Sequence, residues 1–295
     1  MNRLFILAFD QRSSFLKLLG VENEPRVTQK KIASEAKEII FEGFQAAIQS
    51  GKVLKENTAI LVDEEFGSKV IEEARTEGYT FAVPVEASGK SEFEFQHEKN
   101  FVEHIGRVNP SYVKALVRYN PEDDIEKNKR QTEKLSQLSQ FCEDAGREWL
   151  LEVLIDSTER QIKKVKEKAL DFDLDLRPEL QIEAIKQLQA SNVNPNIWKI
   201  EGLENPIHYR KMVKQVHAVG DDKVKVVVLG RGADSAHVER WLAAAKGIDG
   251  ITGFAIGRTI FSEPLKKWRA GDASRVQTAA EIAENYVRFC KIMKN

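Results

Sequence analysis

Eight short runs rich in β-branched and aromatic residues, each followed by a longer segment of helical period, restrict this chain to folds in which helical crossovers join parallel strands. The runs cover residues 4–9, 59–63, 81–86, 114–119, 149–154, 197–201, 224–229 and 251–256. Between them apolar residues recur at spacings of three and four: Ile32, Ala36, Ile40 and Phe44; Leu135, Leu138, Cys142 and Ala145; Val238, Trp241, Leu242 and Ala245. Gly51 and Gly146 fall where helices end, Asp234 falls at an N-cap, and Pro178 and Pro206 stand as first helical residues. Eight βα units in 295 residues match a closed barrel, so the expected fold class is α/β, a single (β/α)8 TIM barrel over residues 1–295. An open doubly wound sheet is the rival. Its dinucleotide fingerprint is missing, because the first βα junction reads Phe9-Asp10-Gln11-Arg12-Ser13-Ser14 without the required glycines. The long excursion at residues 157–177 stands on a βα loop and reads as a lid or a solvated insertion.

The barrel requires functional residues to converge at the C-terminal ends of the strands. Lys199 answers that requirement most sharply, in the run Asn196-Ile197-Trp198-Lys199-Ile200-Glu201-Gly202. Strand alternation puts Ile197, Lys199 and Glu201 on one face and Trp198 and Ile200 on the other. A lysine enclosed among apolar groups has its ammonium form disfavoured, and a neutral amine can attack a carbonyl carbon. Lys114 and Arg118 share a face of the fourth run, Glu152 lies on the fifth, and Asp10, Gln11, Arg12, Asp63 and Glu64 end the first two. Interior charge is costly without a partner, so Lys199, Glu152 and Lys114 form a nucleophile and acid/base set, with a buried ion pair as the structural alternative.

The seventh run leads into Leu229-Gly230-Arg231-Gly232-Ala233-Asp234 and the eighth into Ile256-Gly257-Arg258-Thr259. Glycines allow backbone N–H groups to approach an anion and arginines supply a fork, so these turns read as a phosphate grip. Balanced charge, 45 basic against 46 acidic residues, gives no general field for nucleic acid. No leader or membrane span is expected, which implies a cytoplasmic protein. Cys142 and Cys290 lie on helical segments and read as buried apolar residues. Among His97, His104, His208, His217 and His237 none falls on an expected strand and no pair has zinc-ligand spacing, so no metal and no cofactor is expected.

Asp10-Gln11-Arg12, Val113-Lys114, Leu151-Glu152, Trp198-Lys199-Ile200-Glu201 and Gly253-Phe254-Ala255-Ile256-Gly257-Arg258 together resemble the class I aldolases of the tagatose 1,6-bisphosphate and sulfofructose-phosphate type. The chain is more similar still to the aldolase-like domain that some bacteria carry behind 5-dehydro-2-deoxygluconokinase in myo-inositol breakdown. That similarity adds Arg177-Pro178-Glu179-Leu180, Asn194 to Gly202, Leu229 to Ala233 and Gly257 to Phe261, and it spans nearly the whole chain.

The resemblance implies a Schiff-base aldolase with Lys199 as the imine-forming amine, Glu152 as acid/base and Lys114 as a neighbouring cation. It implies substrate contacts from Asp10, Gln11, Arg12, Gly230, Gly232, Gly257 and Arg258, and from Arg177 if the 157–177 excursion folds over the mouth. The first barrel strand starts at the N-terminus, and no sugar-kinase domain is expected before it. Gly230-Arg231-Gly232 replaces the small polar turn of the tagatose enzymes, and Arg118, Arg177 and Arg231 offer cations for a carboxylate. The expected substrate is therefore 2-deoxy-5-keto-gluconate 6-phosphate, cleaved to dihydroxyacetone phosphate and malonate semialdehyde. A tagatose or sulfofructose phosphate, a non-catalytic sugar-phosphate-binding barrel beside a sugar kinase, and a phosphate-binding isomerase are the alternatives. Trp241, Trp268 and residues 279–293 leave open whether a second subunit covers them.

Overall fold

The computed structural model describes residues 3–21, 25–220 and 222–294. Its centre is a closed barrel of eight parallel strands in sequence order: β1 Leu4–Phe9, β2 Thr58–Val62, β3 Phe81–Pro84, β4 Tyr112–Arg118, β5 Trp149–Leu154, β6 Ile197–Glu201, β7 Lys225–Leu229 and β8 Ile251–Ile256. The surrounding helices are α1 Ser13–Leu18, α2 Val27–Gln49, α3 Glu64–Thr76, α4 Phe101–Val108, α5 Ile125–Asp144 and α6 Glu159–Lys168. They continue with α7 Arg177–Ala190, α8 Pro206–Val216, α9 Ser235–Ala245, α10 Arg258–Ala270 and α11 Arg275–Met293. The (β/α)8 expectation therefore holds. Among the described residues no helix is long and apolar enough to cross a membrane.

Alternation sorts each strand between two apolar regions. Leu4, Ile6, Ala8, Ala59, Leu61, Leu150, Ile197 and Val227 fill the barrel interior. Phe5, Leu7, Phe9, Leu151, Val153, Trp198 and Ile200 pack outward in the layer that the helices cover. Both faces are dry, which is why these strands read as nearly continuous apolar runs. Closure depends on the seam between β1 and β8, where Leu4 lies opposite Gly253. A Cβ on Gly253 would stand 2.0 Å from the Leu4 carbonyl oxygen, and one on Gly257 would stand 1.8 Å from that of Ala8. Only glycine lets the first and last strands approach this closely. Above the seam, α2 and α11 pack side by side, joined by Arg275 to Glu42 at 2.6 Å. The C-terminal segment thus belongs to the outer helical ring.

Several boundaries depart from expectation by one or two residues, β4 at Tyr112–Arg118 and the start of β7 at Lys225 among them, and three departures have a local cause. β3 ends at Pro84, which has no N–H for the ladder; Glu86 instead forms an isolated antiparallel bridge with Phe95. β2 stops at Val62, because Asp63 serves as the N-cap of α3 and accepts a hydrogen bond from the Phe66 N–H. The excursion at 157–177 contains α6 and a π-helical turn at Phe172–Leu176 that runs directly into α7, so Pro178 is the second residue of that helix and not the first.

Candidate active site

The C-terminal ends of the strands surround a cavity of about 540 Å³. Lys199 and Glu152 are register partners on β6 and β5, so both side chains rise from the same level of the interior face. Lys199 Nζ donates to Glu152 Oε2 at 2.8 Å, and the lysine is 4% exposed. Lys114, on β4, lies 3.3 Å from the same carboxylate oxygen, 2.9 Å from Asp10 Oδ2 and 2.5 Å from Glu86 Oε1. Two ammonium groups and three carboxylates therefore form one connected cluster at the floor of the cavity.

Surroundings set the protonation of this cluster. Burial works against the Lys114 ammonium, but the carboxylates of Asp10, Glu86 and Glu152 outweigh it and lift Lys114 above the ordinary lysine range. Burial also works to raise Asp10, yet Lys114 and Lys199 overcome it and hold that carboxyl at about 2. Burial, reinforced by Asp10 and opposed by Lys114, pushes Glu86 upward from the ordinary glutamate value. Glu86 Oε2 is buried without a hydrogen-bond partner. The floor thus holds a cation and an anion that each favour the other's charged form, and a carboxyl that burial pushes upward, all beside Lys199.

The glycine-arginine turns after β7 and β8 reach the same cavity. Gly230, Arg231, Gly232, Gly257 and Arg258 all line the cavity, together with Asp10, Gln11, Arg12 and Arg118. Gly232 has φ +74, and a Cβ there would meet the Arg258 guanidinium at 2.5 Å, so the turn lies directly on that side chain. Arg258 is the first residue of α10, and its Nη2 donates to the Arg231 carbonyl at 3.4 Å. Arg231 is already engaged, with Nε 2.8 Å from Glu201 Oε1 and Nη1 2.7 Å from Asp173 Oδ1. Arg12 donates to the Glu86 carbonyl at 2.7 Å and to Gln96 Oε1 at 2.9 Å, and so braces the loop after β3. Arg118 reaches Asp156 at 2.7 Å and is half-exposed at the rim.

Arg177 stands apart from the cavity wall. It is buried beneath the 157–177 segment, where it donates to Asp173 Oδ1 at 2.8 Å and to the Gly202 carbonyl at 3.1 Å. No residue of 157–177 lines the cavity. Asp63 and Glu64 also stay outside it, Asp63 paired with Lys37 of α2 and Glu64 Oε2 at 2.6 Å from His104 Nε2.

Two participants escaped the sequence reading. Glu86 shares the inward parity of Ala82 and Pro84, so the alternation that marked Lys199 and Glu152 also marked it. Lys37 lies on the apolar stripe of α2 with Ala33, Ile40 and Phe44 and is fully buried. Its ammonium pairs with Asp63 and donates to the carbonyls of Phe9 at 2.7 Å and Gln11 at 3.0 Å, fixing the backbone on either side of Asp10. A third grouping lies away from the cavity: Glu64, His97 and His104 place one donor atom each within 4.8 Å of the other two. Sequence spacing did not indicate this set.

A family model described as "Uncharacterized protein conserved in bacteria (DUF2090)" matches residues 1–295. No curated protein matches the chain. Solved structures of similar fold include Cgl0159 from Corynebacterium glutamicum, with TM-score 0.55 and 15% identity over 96% of this chain and 85% of that one. A Schiff-base-forming fructose-1,6-bisphosphate aldolase has TM-score 0.55 and 15% identity over 96% and 94% of the two chains. A fructose-bisphosphate aldolase from Slackia heliotrinireducens has TM-score 0.57 and 13% identity over 96% and 86%. At such identities the likeness is one of fold.

Proposed function

The chain belongs to the DUF2090 family of proteins conserved in bacteria, and from the cluster in its barrel mouth we propose that it is a class I aldolase acting on a phosphorylated ketose or keto acid. The observation that carries this reading is a buried lysine amine at 2.8 Å from a carboxylate, on the floor of a cavity with arginines at its rim. Lys199 Nζ gives its proton to Glu152 and attacks the substrate ketone; Glu152 then returns that proton to the carbinolamine hydroxyl, which leaves as water, so that the iminium forms and Glu152 is a carboxylate again. Glu152, directly or through water, then takes the proton of the hydroxyl on the far carbon of the breaking bond. The C–C electrons move into the iminium, giving an aldehyde and an enamine. Protonation of the enamine and hydrolysis release the second product and restore Lys199.

Lys114 stays charged throughout, so it stabilises oxyanions and does not compete as a nucleophile. Gly230, Gly232, Gly257 and Arg258 with the start of α10 hold the phosphate. Arg118, at the end of β4, stands across the barrel from β8, where a second anionic group of the substrate would lie. A substrate charged at both ends fits this division, and we favour 2-deoxy-5-keto-gluconate 6-phosphate, cleaved to dihydroxyacetone phosphate and malonate semialdehyde, over a ketose bisphosphate. On this reading the enzyme works in the cytoplasm on keto acids from inositol breakdown.

Borohydride reduction with dihydroxyacetone phosphate, followed by peptide mass spectrometry, tests the mechanism. A stable adduct on Lys199 is expected. Unmodified Lys199 in a folded protein that still binds the ligand overturns the aldolase reading. Lys199→Arg is expected to abolish trapping and turnover together, whereas an isomerase that uses no imine would keep activity. Equal cleavage of ketose bisphosphate and keto-acid phosphate would overturn the substrate preference.

A further inference from the structure

Glu64, His97 and His104 come from three separate stretches of chain. Glu64 opens α3 at the end of the β2 connection, His104 lies in α4, and His97 ends the loop between β3 and α4. That loop lines the cavity from Glu86 to Phe93. It returns on itself through Ala87 N–H to the Glu94 carbonyl at 2.8 Å and Gln96 N–H to the Val85 carbonyl at 2.7 Å. Phe95 stacks on Phe101 at 4.0 Å, which delivers His97 over α4. The two imidazole rings then lie 3.9 Å apart, and His104 Nε2 faces Glu64 Oε2 at 2.6 Å.

We propose that Glu64, His97 and His104 bind a divalent transition metal of the zinc class, and that this metal clasps the cavity-lining loop to α3 and α4. Two imidazoles and one carboxylate are the donor set such ions prefer, whereas magnesium and calcium favour oxygen ligands. In a tetrahedral zinc site with bonds of about 2.0–2.1 Å, donor atoms stand about 3.4 Å apart. The His104 and Glu64 donors, 2.6 Å apart, open by about 0.8 Å to admit the ion, and the His97 donor, within 4.8 Å of both, closes by up to about 1.4 Å. His97 is exposed and packs on His104, while burial of His104 fixes the centre of the site. Water completes the fourth position. None of the three residues lines the cavity, so the clasp is structural and independent of the aldolase reading.

Isothermal titration of the chelator-treated full chain with zinc chloride, and separately with magnesium chloride, tests the site. One equivalent of zinc is expected to bind saturably, with no magnesium uptake at the same concentrations. His97→Ala and Glu64→Gln, both at accessible positions, are expected to weaken zinc at least tenfold. Zinc is also expected to raise the unfolding temperature of the wild-type chain but not of His97→Ala. Absence of saturable zinc binding, or unchanged affinity in both variants, overturns the proposal. Because neither readout uses turnover, the outcome is the same whether or not Lys199 forms an imine.

Discussion

Replacing Lys114 by methionine removes the cation shared by three buried carboxylates and keeps the length of the side chain. At an effective dielectric constant of about 20, unit charges at the observed 2.5–3.3 Å attract by roughly 5–7 kcal/mol per contact. Desolvation offsets most of that, and deleting one partner of a buried pair costs about 3–5 kcal/mol net. A loss of that size is expected at pH 8 in denaturant unfolding of Lys114→Met. The sign of its pH dependence follows from Asp10. In the wild-type chain this carboxyl titrates at about 2, below its ordinary 3.8, so its ionised form contributes stability above pH 3.8 that is lost as pH falls toward 2. Without Lys114, burial dominates and raises the folded carboxyl above its unfolded value. The folded variant then binds the proton more tightly than the unfolded chain and gains stability as pH falls. Each carboxyl contributes up to about 1.4 kcal/mol per pH unit across that window. The deficit is therefore expected to shrink as pH falls from 8 toward 5. A deficit below about 1 kcal/mol, or one that does not narrow with acid, would refute the view that Lys114 holds the cluster together.

Asp63→Asn keeps the N-cap of α3 but leaves Lys37 without its carboxylate, and is expected to cost about 3–5 kcal/mol; adding Lys37→Met is expected to recover most of it, and simple additivity in urea melts would contradict the pairing. Gly257→Ala drives a Cβ into the Ala8 carbonyl and is expected to destabilise by at least about 2 kcal/mol, while Gly106→Ala in α4, where a Cβ meets nothing within 4 Å, stays neutral or gains up to about 1 kcal/mol. Asp173→Asn weakens the half-exposed link from the 157–177 segment to Arg231; global stability is expected to change by less than about 1 kcal/mol, while tryptic cleavage within α6 rises about fivefold. Equal cleavage rates would mean that Asp173 does not restrain the segment.

Much of the barrel is legible from local pattern, because strand and helix periods are properties of consecutive residues. The boundaries that moved did so for reasons outside that pattern: Pro84 withholds an N–H from a neighbouring strand, and Asp63 is drawn to a helix terminus. Lys199, Glu152 and Lys114 were legible as interior charges by strand parity, and they meet within 3.3 Å. Glu86 carried the same parity signal at the end of the expected run 81–86, but as a terminal residue it was not singled out, and the strand itself breaks at Pro84. Lys37 was hidden by its helix, since one lysine on an apolar stripe reads as a solvated stem until the partners around its ammonium are known.

Sequence alone determined the eightfold βα repeat and the positions at which charge faces inward, because each depends on spacing along the chain. The tertiary structure decided which charges share a proton environment. Glu86 enters from a loop 28 residues before Lys114, and Arg177 turns under the 157–177 segment and away from the cavity. It also decided that His97 and His104 share a donor set with Glu64. Such juxtapositions depend on distances through space between segments far apart in the chain, and electrostatic coupling at 2.5–3.3 Å falls away steeply once that distance changes.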